Sequence, residues 1–272
     1  MKWLLDRKFY FNYAKYIKAF KQILLFFGTG VVLLPLFTGF AHASELLIPA
    51  YFYPDIWNTT NKWYTMCDTA PAQSVVIVNP GSGPGPSISS DYSDVVPRCQ
   101  NNNINVIGYV DTAYGTRSLN DVKADIDTFY SWYGVDGIFF DQMSSSDTTQ
   151  SYYEELYDYV HTNAPSNQEL VVGNMGTAPT TDWALDTPVV DILVIFEGTH
   201  TSFGSFTPPA WVGNYDPTDF AALVYDTDST DYGSTCTGIT NKGINYQYVT
   251  DDNGANPWDT LPPYWTTELS GC

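Results

Sequence analysis

Residues 135–142 read Val-Asp-Gly-Ile-Phe-Phe-Asp-Gln, three bulky apolar side chains running straight into a carboxylate. Ile138, Phe139 and Phe140 leave the segment no polar side. A strand here needs cover on both faces, as in a parallel sheet wrapped by helices. Buried among such neighbours, an ionised Asp141 is costly unless it is paired or reached by solvent or ligand. The open carboxyl end of the strand meets that need, and it is where α/β folds build their sites. For a single strand-end Asp, capping the next helix is the plainer role.

The pattern recurs along the chain. Strands are expected over residues 46–54, 74–79, 105–111, 135–142, 170–174, 191–197, 220–226 and 243–251. Helices are expected over 92–103, 119–133 and 150–163, with Ser118 as N-cap and Gly134 as stop of the second. Eight strands alternating with helices predict an α/β fold of the (β/α)8 TIM-type barrel class, with an open doubly wound sheet as the other arrangement. The helix after Glu197 is the weakest in the pattern. The Gly-rich loop over 80–86 follows a strand as a dinucleotide loop does, but Pro86 stands where the third Gly belongs.

Residues 1–43 read as an address. Lys15, Lys18 and Lys21 precede an apolar run over 23–40, and Ala41-His42-Ala43 closes it. This is the plan of a secretory signal peptide cleaved after Ala43. An uncleaved N-terminal anchor is the alternative, although Gly28, Gly30 and Pro35 interrupt the run. Either way residues 44–272, one barrel domain, lie secreted or otherwise outside the cytoplasm. All four cysteines fall in that part, and an even count in an exported chain suggests two disulfides. Proximity favours Cys67–Cys99 and Cys236–Cys272. With no CxxC pair and few histidines, a zinc site has little support.

Six of the eleven basic residues and one of the thirty acidic ones precede residue 44, which leaves a net charge of −24 on the rest. That balance argues against nucleic acid, and against any membrane partner beyond the possible anchor. It suits an acidic cleft that draws in a cationic polymer, such as a polysaccharide with free amines. Aromatic residues make up 16% of the chain, enough to pack a core and still supply rings for stacking on sugars.

Polar residues gather at the expected strand ends: Asn79, Asp111, Asp141, Asn174, Glu197 and Asp226. In a barrel these converge on one mouth. Two carboxylates among amides and aromatics are the equipment of a glycosidase, in which one must be protonated and the other ionised. Tyr51, Tyr53, Asn79, Asp111, Gln142 and Asn174 are the expected substrate-binding residues. Serine hydrolase chemistry has no GxSxG to stand on. Neither metal nor cofactor is needed.

These segments resemble the spherulin-4-like, or spherulation-specific, family, which includes glycoside hydrolases acting on galactosamine-containing polysaccharide. The resemblance is carried by Ile48-Pro49-Ala50-Tyr51-Phe52-Tyr53-Pro54, the loop over 79–85, the segment over 108–117, Asp136-Gly137-Ile138-Phe139-Phe140-Asp141 and Phe196-Glu197. It implies a secreted barrel with endo-hydrolase activity on α-1,4-linked N-acetylgalactosamine or galactosamine polymers of biofilm or cell-wall matrix. It also implies that Asp141 and Glu197 are the functional carboxylates, and on that resemblance they are the expected catalytic pair. The chain departs from it at Gln142, where enzymes of the family can carry Glu. Gln142 leaves a second outcome open, a non-catalytic polysaccharide-binding protein on the same barrel.

Overall fold

A computed structural model describes residues 44–58 and 60–271. The expected signal peptide or anchor over 1–43 lies outside the described residues, as does Cys272. Eight strands run through the described chain: β1 (Glu45–Ala50), β2 (Val75–Val78), β3 (Asn105–Asp111), β4 (Gly137–Asp141), β5 (Leu170–Asn174), β6 (Ile192–Thr199), β7 (Phe220–Tyr225) and β8 (Tyr246–Val249). They follow one another around a closed barrel, each parallel to its neighbours. Closure is made by β1 on β8, Glu45 against Tyr246 and Leu46 against Gln247. An open sheet would leave those two edges unpaired, so the (β/α)8 TIM-type barrel is the architecture and the doubly wound alternative falls.

Helices cover the outside: α1 (Lys62–Thr69), α2 (Ser90–Gln100), α3 (Leu119–Tyr133), α4 (Gln150–Asn163), α5 (Trp183–Asp186), α6 (His200–Ser205), α7 (Tyr232–Asn241) and α8 (Trp265–Glu268). The ends of α3 are set locally. Ser118 accepts from the Asp121 N–H, and Gly134 takes a left-handed φ of 60° at the C-cap. Its inner face buries Val122, Ile126, Phe129 and Tyr133. Helix and sheet meet closely at Gly108, where an added Cβ would stand 2.4 Å from the Phe129 ring. No other residue fits there without moving the helix.

Two expectations need correction. The first strand ends at Ala50, not at residue 54, because the Tyr51 N–H turns to the Pro49 and Trp258 carbonyls. The stretch between the strands expected over 46–54 and 74–79, where no helix is expected, holds one around Trp63, started by Asn61, whose Oδ1 accepts from the Trp63 N–H at 2.8 Å. That helix carries Cys67 against Cys99 of α2, and the two form a disulfide buried in the core. Cys236 is also disulfide-bonded. Its expected pairing falls on Cys272. No described helix is long and apolar enough to cross a membrane.

Candidate active site

The carboxyl ends of the strands open into a cavity of about 600 Å³. Its walls include Tyr51, Asn79, Tyr109, Asp141, Asn174, Glu197, Tyr225 and Trp258, with no basic side chain among the lining residues. Of the expected substrate-binding residues, Tyr51, Asn79 and Asn174 line it, together with both expected catalytic carboxylates.

Asp141 ends β4 level with Asp111 of β3. The Tyr109 hydroxyl donates to Asp141 Oδ2 at 2.7 Å, and Asn174 Nδ2 donates to Asp141 Oδ1 at 2.8 Å. The same Asn174 nitrogen donates to Glu197 Oε2 at 2.6 Å. A primary amide has two hydrogens, and each goes to a different carboxylate. The amide cannot be turned over, because its Oδ1 accepts from the Gly176 N–H at 2.8 Å. A shared donor also limits separation. Asp141 Oδ1 and Glu197 Oε2 lie at most 5.4 Å apart, the sum of the 2.8 and 2.6 Å bonds.

Glu197 reaches this position through an irregularity in β6. Val194 stands beside Asn174 and Ala221, on the face that looks inward. Glu197 is three residues further on, and plain alternation would turn it outward. The register slips between Val194 and Phe196, so that one extra residue of β6 faces β7. After this bulge Glu197 pairs with Leu223, a wall residue, and points inward. Phe196 is turned the other way and packs on Phe203 and Phe206.

Burial raises the Glu197 pKa, the Asn174 and Trp258 side chains hold it down by hydrogen bonding, and the Asp141 charge adds to the rise. Burial does the same to the Tyr51 and Tyr109 hydroxyls, helped by Asp141, so both remain donors across the ordinary pH range. Trp258 is fixed by the Tyr225 and Tyr248 rings, and its carbonyl accepts from the Tyr51 N–H.

Three expected binding residues stand elsewhere. Tyr53 is 63% exposed, with its ring edge-on to Tyr92. Asp111 turns its Oδ1 to the Ala113 N–H at 2.7 Å. Gln142 is exposed, and its carbonyl accepts from Thr112 and Tyr114. Tyr109, Tyr225 and the loop over 254–258 were not foreseen. Tyr109 shares strand parity with Asp111, which is a usable signal; Trp258 has none in its own neighbourhood of sequence. Among the described residues no group of His, Cys, Asp or Glu is placed to hold a metal ion.

Comparison with known proteins agrees with this architecture. Spherulin-4 of Physarum polycephalum is 29% identical over 243 residues, covering 83% of this chain and 69% of its own. The crystal structure of Aspergillus clavatus Sph3 in complex with GalNAc superposes with a TM-score of 0.71 at 24% identity, covering 84% of this chain and 97% of that one. The model of the spherulation-specific family 4 matches residues 45–271, nearly the whole described barrel, and the chain belongs to that family.

Proposed function

We propose that this protein is a secreted, endo-acting glycoside hydrolase that cleaves α-1,4-linked N-acetylgalactosamine or galactosamine polymer of a biofilm or cell-wall matrix. The observation that carries the reading is the single Asn174 amide shared by two carboxylates inside a ring-lined cavity. The GalNAc bound to Sph3 supports an amino sugar as the unit recognised.

Glu197 is the general acid/base. Its raised pKa keeps a proton available for the leaving glycosidic oxygen. Asp141 is the nucleophile, its two oxygens held by Tyr109 and Asn174. In the first step Asp141 attacks the anomeric carbon while Glu197 gives its proton to the departing oxygen. In the second, water attacks the same carbon, Glu197 takes the water's proton, and the bond to Asp141 breaks. A separation of about 5–5.5 Å is typical of retaining enzymes, against about 6.5–9.5 Å for inverting ones. The 5.4 Å ceiling on the bridged oxygens supports retention.

Reducing-end release from galactosamine-rich polymer is the test. Asp141→Asn and Glu197→Gln should each lower turnover by roughly a thousandfold or more, of the order lost when a unit of the reacting machinery is removed. Identical behaviour of wild type and both variants removes the proposal. Gln142 favours a second reading, in which the barrel holds polymer without cutting it. Polymer retention without new reducing ends in the wild type selects that reading.

A further inference from the structure

Four large hydrophobic side chains are exposed among the described residues: Tyr53 (63%), Trp57 (87%), Ile88 (55%) and Tyr114 (61%). They are not scattered. Tyr53 and Trp57 follow β1, Ile88 follows β2, and Tyr114 follows β3. These are three consecutive strands at one end of the barrel, the end that carries the cavity, and each of the three also supplies a wall residue near its end: Tyr51, Asn79 and Tyr109. The helices and the opposite rim carry no such residue among those described.

Tyr114 is held out under strain. Ala113 and Tyr114 take consecutive left-handed conformations, φ 46° and 56°, which non-glycine residues rarely adopt. The turn is braced from both sides. Asp111 Oδ1 accepts from the Ala113 N–H at 2.7 Å, and the Gln142 carbonyl, itself at φ 49°, accepts from the Tyr114 N–H at 2.7 Å. Asp111 and Gln142 thus support the rim instead of lining the cavity. Strain that the surroundings must maintain is a mark of a functional surface.

We infer that the loops after β1, β2 and β3 form a saccharide platform, on which the part of a polysaccharide chain outside the cavity stacks against Tyr53, Trp57 and Tyr114. The inference rests on the glycan-acting reading above. A cavity of about 600 Å³ houses only a short stretch of such a polymer, and the remainder must cross the rim. Sugar rings offer C–H faces that suit exposed aromatics. The platform is continuous with the cavity through Tyr51 and Tyr53 on one loop. It sets the direction of the bound chain, away over β1–β3 and not over β5–β7, and it favours long substrates over short ones.

The test measures binding. Wild type, Trp57→Ala, Tyr114→Ala and the double variant are titrated with galactosamine-rich chains of increasing length, and their sedimentation is recorded. Thermal melting confirms that the variants are folded. Each substitution should weaken binding of long chains by roughly two- to tenfold, the double more, with the loss vanishing for a monosaccharide. Variants that hold long chains as tightly as wild type overturn the platform and leave the glycan reading standing. Wild type that holds no chain of any length overturns both. Self-association lost in the variants, with polymer affinity unchanged, assigns the patch to a second copy of this chain instead.

Discussion

Asn174 commits one amide hydrogen to Asp141 and the other to Glu197, while its oxygen is tied to the backbone of Gly176. A residue so placed does two things at once: it fixes the spacing of the pair and opposes the upward drift of the Glu197 pKa. Asn174→Ala should therefore lower kcat by roughly a hundredfold, the range lost with one fixed donor at a reacting centre, with a smaller effect on KM. It should also move the alkaline limb of the pH–rate profile upward, because the donor that lowers the Glu197 pKa is gone. An unshifted limb would reduce Asn174 to a wall residue. The carboxylates were readable from the sequence because an acid that ends an apolar strand has few other places to go. Asn174 was readable by the same rule as a resident of the mouth, but not as the bridge, since bridging depends on two side chains from other strands. Trp258 reaches Glu197 from a loop, and no local pattern announces that kind of contact.

At the scale of single elements, α3 was legible because its caps and its apolar stripe lie within the helix itself. The bulge in β6 was not. Phe196-Glu197 reads equally well with either residue inward, and only the match to β7 decides. The last helix shows a related limit. Glu268 sits on α8 with no exposed surface, its Oε1 accepting from the Val249 N–H of β8 at 2.8 Å, and Tyr232, Tyr248 and Tyr264 packed around it. Burial pushes its pKa up to about 8 from the ordinary value of 4.5. The folded state then keeps the proton where the unfolded chain has released it. Stability from this group is fully present below about pH 4.5 and is lost as pH rises to about 8. Thermal melts across that window should fall with pH in the wild type. Glu268→Gln carries no titrating proton, so its melting temperature should depend less on pH and should exceed that of the wild type at pH 9. Parallel curves for the two proteins would mean that Glu268 does not titrate in the fold.

For the whole molecule, the number and regularity of apolar runs favoured a barrel, but its closure rests on the pairing of β1 with β8, and the exposed rings at the rim were not legible, because exposure is a property of the assembled mouth. Charge is the one global property that the sequence states outright, and its consequence can be argued to a measurement. From residue 44 onward the net charge is −24. Each of the five basic side chains there is already engaged: Arg98 with Asp68, Arg117 with Asp125, Lys123 with Glu155, Lys62 with Thr260, and Lys242 with the Phe206 carbonyl. The cavity holds two carboxylates and no cation among its wall residues. A field of one sign steers oppositely charged ligands towards a cleft, and salt shortens its reach from roughly 30 Å at about 0.01 M to roughly 3 Å at about 1 M. A polymer with free amines should therefore show a KM that climbs severalfold over that range, while kcat, set by contacts inside the cavity, stays nearly level. The fully N-acetylated polymer carries no charge and should show little change in either constant. If both polymers respond to salt alike, steering by charge plays no part in substrate choice, and the acidic surface serves solubility alone.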